Sequence, residues 1–99
     1  MKELLAKLLE RKNLSQEEAR EMILWVMSEE AVPTQAAALL ALLQAKGATI
    51  DEIVGAAHAM RERSEKIKAP SDAIDTCSTG GNGISTFNIS TCAALIAAA

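Results

Sequence analysis

The spacing of apolar residues changes at Pro70, and no other feature limits the fold of this chain as much. Before Pro70, apolar residues recur at helical intervals. After it comes a short, mostly apolar segment, Ala73-Ile74-Asp75-Thr76-Cys77, which is too short for a helix and reads as a strand. A loop with Gly80, Gly81 and Gly83 follows, and then an Ala-rich helix-forming run. This order predicts an N-terminal all-α helical bundle, followed by the first strand, glycine loop and helix of an α/β domain. The hinge Lys68-Ala69-Pro70-Ser71-Asp72 divides the chain into residues 1–69, with four helices, and residues 70–99.

The bundle can be read helix by helix. Met1 to Lys12 sets Leu4, Leu5, Leu8 and Leu9 on one face. Ser15 with Glu18 is a capping-box pattern, and Thr49 with Glu52 repeats it. The second helix carries Ala19, Met22, Ile23 and Val26 at helical spacing, with Trp25 off that stripe. Trp25 covers the edge of the core, packs against a partner subunit or, as a third reading, stacks on a ligand. Pro33 suits the first turn of a third helix, apolar on nearly all sides from Ala36 to Ala45 and ended by Gly47. Such a helix is central to the bundle or wedged between subunits. Ile50, Ile53, Val54, Ala57 and Met60 predict the buried stripe of a fourth helix, whose charged end runs from Arg61 to Lys68. His58, at the margin of that stripe, reads as a surface residue rather than a catalytic one.

Trp25 and Phe87 are the only aromatic residues, so the core must be built from aliphatic side chains, which suits packed helices. The formal net charge is −3 and no basic run is interleaved with aromatics, which disfavours a nucleic-acid partner. No apolar run approaches the ~18 residues that cross a bilayer. The N-terminus lacks a signal-peptide layout. Cys77 and Cys92 lack metal-ligand spacing and read as two unbridged thiols of a cytoplasmic protein. The sequence stops at Ala97-Ala98-Ala99 in mid-helix by pattern, and a helix apolar on every face needs covering. This predicts the N-terminal piece of a larger two-domain protein.

The glycine loop carries the chemistry. It lacks the lysine of a P-loop, and its glycines do not fit the GxGxxG dinucleotide pattern. Spacing alone leaves it as either a tight turn or a phosphate cradle. Thr79, Ser85, Thr86, Asn88, Ser90 and Thr91 then place uncharged hydrogen-bonding groups around it. A loop of that kind meets a diphosphate with N–H donors, hydroxyls, a helix dipole and a metal ion. Phe87 and Ile89 alternate with Asn88 and Ser90, so the apolar pair can anchor the segment while the polar pair faces a cleft. The helix is expected to begin at Ser90 or Thr91. Ser90 also reads as an ordinary N-cap, which is compatible with a binding role.

Ser78-Thr79-Gly80-Gly81-Asn82-Gly83 and Thr86-Phe87-Asn88-Ile89-Ser90-Thr91 resemble the anthranilate phosphoribosyltransferase family of tryptophan biosynthesis. That family carries Gly-Thr-Gly-Gly-Asp, then Thr-Phe-Asn-Ile-Ser-Thr and an Ala-rich helix, after a small helical domain. The resemblance implies that residues 70–99 begin a phosphoribosyl-binding domain. It implies a glycosyltransferase in which the amine of anthranilate displaces pyrophosphate from phosphoribosyl pyrophosphate (PRPP), with Mg2+ balancing charge. It further implies that Ser78, Thr79, Gly80, Gly81, Asn82 and Thr86 belong to the loop over PRPP and beside anthranilate. Asn88, Ser90 and Thr91 match residues that hold the pyrophosphate, and Ser90 also matches a magnesium contact. A homodimer through the helical domain is implied as well. Two positions depart from the pattern: Ser78 replaces a glycine, adding a side chain where backbone approaches ligand, and Asn82 replaces an aspartate. The Ser-Thr-Gly-Gly form resembles the related pyrimidine nucleoside phosphorylases, which lack Thr-Phe-Asn-Ile-Ser-Thr and give the alternative reading. A non-catalytic helical dimerisation module is the non-enzymatic one. The family's Lys-His-Gly-Asn segment, anthranilate-contacting arginine and acidic metal pair lie downstream of residue 99, so the 99-residue chain alone is expected to be inactive.

Overall fold

The computed structural model describes residues 1–77 and 88–99, which fall into two units, Met1–Lys66 and Ile67–Ala99. In the first unit, α1 (Lys2–Leu9), α2 (Gln16–Val26), α3 (Pro33–Lys46) and α4 (Ile50–Arg63) form the helical bundle. Both capping boxes are made. The Ser15 hydroxyl accepts the Glu18 N–H at 3.2 Å and the Glu18 carboxylate accepts the Ser15 N–H at 2.9 Å. Thr49 and Glu52 do the same at 3.3 and 2.7 Å. Each box supplies acceptors for two N–H groups that the helix itself leaves without partners.

The first helix is shorter than its pattern. It stops at Leu9, and Arg11 takes a left-handed φ of +57°. The Arg11 N–H then reaches Leu8 O at 2.9 Å and the Lys12 N–H reaches Lys7 O at 2.9 Å. This is the Schellman arrangement, with an arginine where glycine is usual. Gly47, at φ +86°, ends α3 as expected.

Leu4, Leu8, Leu14, Ala19, Met22, Ile23, Leu39 and Ala59 form the core, and Trp25 lies half-buried against it. α2 packs along α4, and α1 packs against α3. The α2–α4 contact corrects the reading of α4. An ideal Cβ on Gly55 would lie 2.1 Å from Gln16 O and 3.1 Å from the Ala19 Cβ. With backbones this close, only Gly55, Ala59 and the caged Glu52 are buried on α4. The larger apolar residues fall on the other face: Ile50 is 80% exposed, Ile53 57% and Met60 59%. α3 buries only Leu39 and leaves Leu40 exposed, so it does not occupy the centre of this unit. α4 also ends early, at Arg63, rather than continuing to Lys68. The Ser64 hydroxyl and the Lys66 ammonium both donate to Arg61 O, at 2.9 and 3.0 Å, in place of another helical turn.

In the second unit, α5 spans Ile89–Ala98. Pro70 begins a turn closed by the Ala73 N–H on Pro70 O at 3.1 Å. Ala73 to Cys77 runs on without regular structure, and no strand occurs among the described residues. A strand's N–H and C=O groups need a neighbouring strand, and residues 67–77 and 88–99 supply none. Cys77 and Cys92 are both exposed and form no disulfide. No helix among the described residues is long and apolar enough to cross a membrane.

Candidate functional site

The first turn of α5 starts at Ile89, one or two residues earlier than the Ser90 or Thr91 that its pattern suggests. Asn88 is the N-cap: its Oδ1 accepts the Thr91 N–H at 3.0 Å, and its carbonyl accepts the Cys92 N–H at 3.1 Å. Asparagine is among the strongest N-cap residues, and its amide oxygen reaches the N–H three positions on. Ser90 is therefore inside the helix rather than at its cap, half-buried, while Asn88 and Thr91 are exposed. Among the described residues, the N–H groups of Ile89 and Ser90 have no acceptor, which is the ordinary state of a helix's first turn. They carry the positive end of the helix dipole and suit an anion.

Beside this turn lies an open cleft of about 640 Å3, lined by Ile74, Asp75, Thr76, Cys77, Ser90, Thr91, Ala94, Leu95 and Ala98. It brings the end of the Ala73–Cys77 segment together with two of the three polar residues of the Asn88–Thr91 run. A smaller hollow of about 260 Å3 continues along Ile74, Thr76, Ala94, Ala97 and Ala98. Ala94 is half-buried and lines both hollows.

Ser78, Thr79, Gly80, Gly81, Asn82 and Thr86 lie outside the described residues. Asp75 and Thr76 line the cleft although the sequence pattern places them in a strand and gives them no role. The available signal was the aspartate two residues before an N–H, the pattern of an Asx turn. The turn is present, with the Cys77 N–H donating to Asp75 Oδ1 at 2.8 Å.

The cleft is poor in charge. From Ala69 to Ala99 the only ionisable side chains besides the thiols are Asp72 and Asp75. No group of three or more His, Cys, Asp or Glu among the described residues could hold a metal ion. Ser90 offers one neutral oxygen. Among the described residues that is too little to cage a magnesium ion, and it would suit one that keeps most of its waters. His58 is exposed, with its ring Nδ1 3.4 Å from the Gln16 amide.

Residues 2–64 match the helical bundle domain of the glycosyl transferase family. The chain belongs to that family. Residues 70–99 match the family's a/b domain. This glycosyl transferase family chain is 48% identical over 96 residues to an anthranilate phosphoribosyltransferase of Bacillus caldotenax, covering 97% of the chain and 40% of that protein. The corresponding enzyme of Geobacillus kaustophilus is 48% identical, with 97% of the chain and 28% of that protein covered. That of Rhizobium rhizogenes is 49% identical over 98 residues, with 99% of the chain and 29% of that protein covered. The chain thus spans 40% or less of the length of these curated relatives. No solved structure matches it.

Proposed function

We propose that the chain is the N-terminal part of an anthranilate phosphoribosyltransferase, which transfers the phosphoribosyl group of PRPP to the amine of anthranilate and releases pyrophosphate. The observation that carries this reading is 48% identity to the Bacillus caldotenax enzyme over 97% of the chain. Asn88, Ser90 and Thr91 hold the diphosphate at the first turn of α5, using hydroxyls, amide donors and the exposed N–H groups. Ser78, Thr79, Gly80, Gly81, Asn82 and Thr86 complete the loop. The chain's own groups bring no positive charge to the cleft, so Mg2+ on the diphosphate supplies it, with Ser90 as one contact. Catalysis of this kind works by positioning and by stabilising the leaving group's charge.

Several features belong to the same proposal. Ala73–Cys77 becomes a strand once further strands of the α/β domain pair with it. The protein is a cytoplasmic homodimer that associates through the helical domain, where exposed Leu40, Ile50, Ile53 and Met60 leave apolar surface to cover. The 99-residue chain alone is inactive.

Full-length protein supplied with anthranilate, PRPP and Mg2+ tests the reading, followed by loss of anthranilate fluorescence. Consumption of anthranilate only when PRPP is present supports it. Release of free base from a pyrimidine nucleoside and phosphate, with PRPP untouched, replaces it with the phosphorylase reading. Sequence past Ala99 lacking a Lys-His-Gly-Asn-like stretch also counts against it.

A further inference from the structure

Asp75 poses an electrostatic problem. It is exposed and lines the cleft together with Ser90 and Thr91. A carboxylate there repels any polyphosphate, and no cationic side chain between Ala69 and Ala99 offsets it. Its observed work is local: Oδ1 accepts the Cys77 N–H at 2.8 Å. That bond closes an Asx turn around Thr76. Thr76 is the one half-buried residue between Glu65 and Cys77, and it lines both hollows against α5 with Ala94 and Ala98. The turn thus sets the backbone at Thr76 and Cys77, where both residues line the cleft that Ser90 and Thr91 also line. The next residue is Ser78, the first of the proposed PRPP loop.

We infer that Asp75 is a positioning residue for PRPP: through its Oδ1 bond to the Cys77 N–H it holds Thr76 and Cys77 in the lining of the cleft shared with Ser90 and Thr91, and its negative charge is dispensable. The inference rests on the transferase reading for its ligand. It separates acceptor geometry from charge, because asparagine keeps the Oδ1 acceptor and removes the charge while alanine removes both. A metal ligand or general base at this position would instead lose as much with asparagine as with alanine.

The test has two arms. In the 99-residue chain, amide hydrogen exchange at Cys77 reads the turn directly. Protection in wild type and in Asp75→Asn, lost in Asp75→Ala, is expected, and equal exchange in all three overturns the inference. In full-length protein, Asp75→Ala is expected to raise KM for PRPP about tenfold, equivalent to about 1.4 kcal/mol. Its kcat and its KM for anthranilate stay within twofold, and Asp75→Asn keeps both of these within twofold with a KM for PRPP equal to or below that of wild type. Matching losses in the alanine and asparagine variants, or a fall in kcat alone, overturn the inference. Wild-type protein that protects Cys77 but uses no PRPP overturns the transferase reading, and the role assigned to Asp75 with it. Circular dichroism melts of both variants separate these outcomes from a failure to fold, since an exposed side chain should leave the melting temperature unchanged.

Discussion

Glu52, in the first turn of α4, accepts the backbone N–H of Leu14 at 2.8 Å and the ammonium of Lys46 at 2.8 Å while 1% exposed. Through Thr49 it also caps its own helix. One carboxylate therefore ties the α1–α2 connection, the end of α3 and the start of α4. Burial by itself would push this carboxyl up. Lys46, the Thr49 and Leu14 N–H groups and the Thr49 hydroxyl outweigh that and hold it at about 2. Glu52→Ala leaves Lys46 buried without its counter-ion, a change that costs about 3–5 kcal/mol. Urea denaturation of the 99-residue chain measures it.

The same carboxylate predicts a pH dependence. Its folded pKa of about 2 lies below the ordinary value of 4.5, so its contribution is complete above about pH 4.5 and disappears as pH falls toward 2. A shift of this size is worth about 3 kcal/mol at about 1.4 kcal/mol per unit. Glu18, held low mainly by Lys7, titrates in the same direction, so the comparison must be between variants. Wild type should lose stability across this interval more steeply than Glu52→Gln. Urea midpoints measured at a series of pH values give both slopes.

Gly55 allows the close approach of α2 and α4. Alanine in a helix interior ordinarily gains up to about 1 kcal/mol over glycine. Here its Cβ would meet Gln16 O at 2.1 Å, which is backbone and cannot rotate away. Overpacking of this sort costs about 1–3 kcal/mol, so Gly55→Ala is expected to lower stability by about 1 kcal/mol net after the gain of up to about 1 kcal/mol. For a domain of this size that is a fall of about 5 °C in Tm, read by thermal melting.

Arg11 gives the opposite case. Its left-handed φ of +57° costs an L-residue about 1 kcal/mol that glycine does not incur. Its side chain makes no ion pair among the described residues. Arg11→Gly should therefore stabilise the chain by about 1 kcal/mol, again by urea denaturation.

Local signals were legible where one residue acts on a near neighbour. Ser15, Thr49, Pro33 and Gly47 each mark a helix end by chemistry that reaches no more than a few residues, and each acts as its sequence indicates. Arg11 ends α1 without any such mark, because its backbone conformation is held by the fold around it rather than favoured by its type. The α4 stripe was misread for a different reason. Periodicity finds the apolar face of a helix but not the face that another helix chooses. Here the closest packing selects Gly55 and Ala59, not Ile50, Ile53 and Met60. In the second unit, the Asn88–Thr91 run placed the helix start to within two residues. The strand reading of Ala73–Cys77 rested on the change of period and the shortness of the segment, which cannot supply the partner that a strand requires.

The central claim is that the Asn88–Thr91 turn of α5 receives the magnesium-bound diphosphate of PRPP. Calorimetric titration of PRPP into full-length protein, with and without Mg2+, tests it most directly, with Ser90→Ala and Ser78→Gly as companions. Binding that requires Mg2+, weakens about tenfold in Ser90→Ala, a loss of about 1.4 kcal/mol, and tightens in Ser78→Gly is the predicted result. PRPP affinity that is absent, or unchanged by removing Mg2+ and by Ser90→Ala, would contradict it.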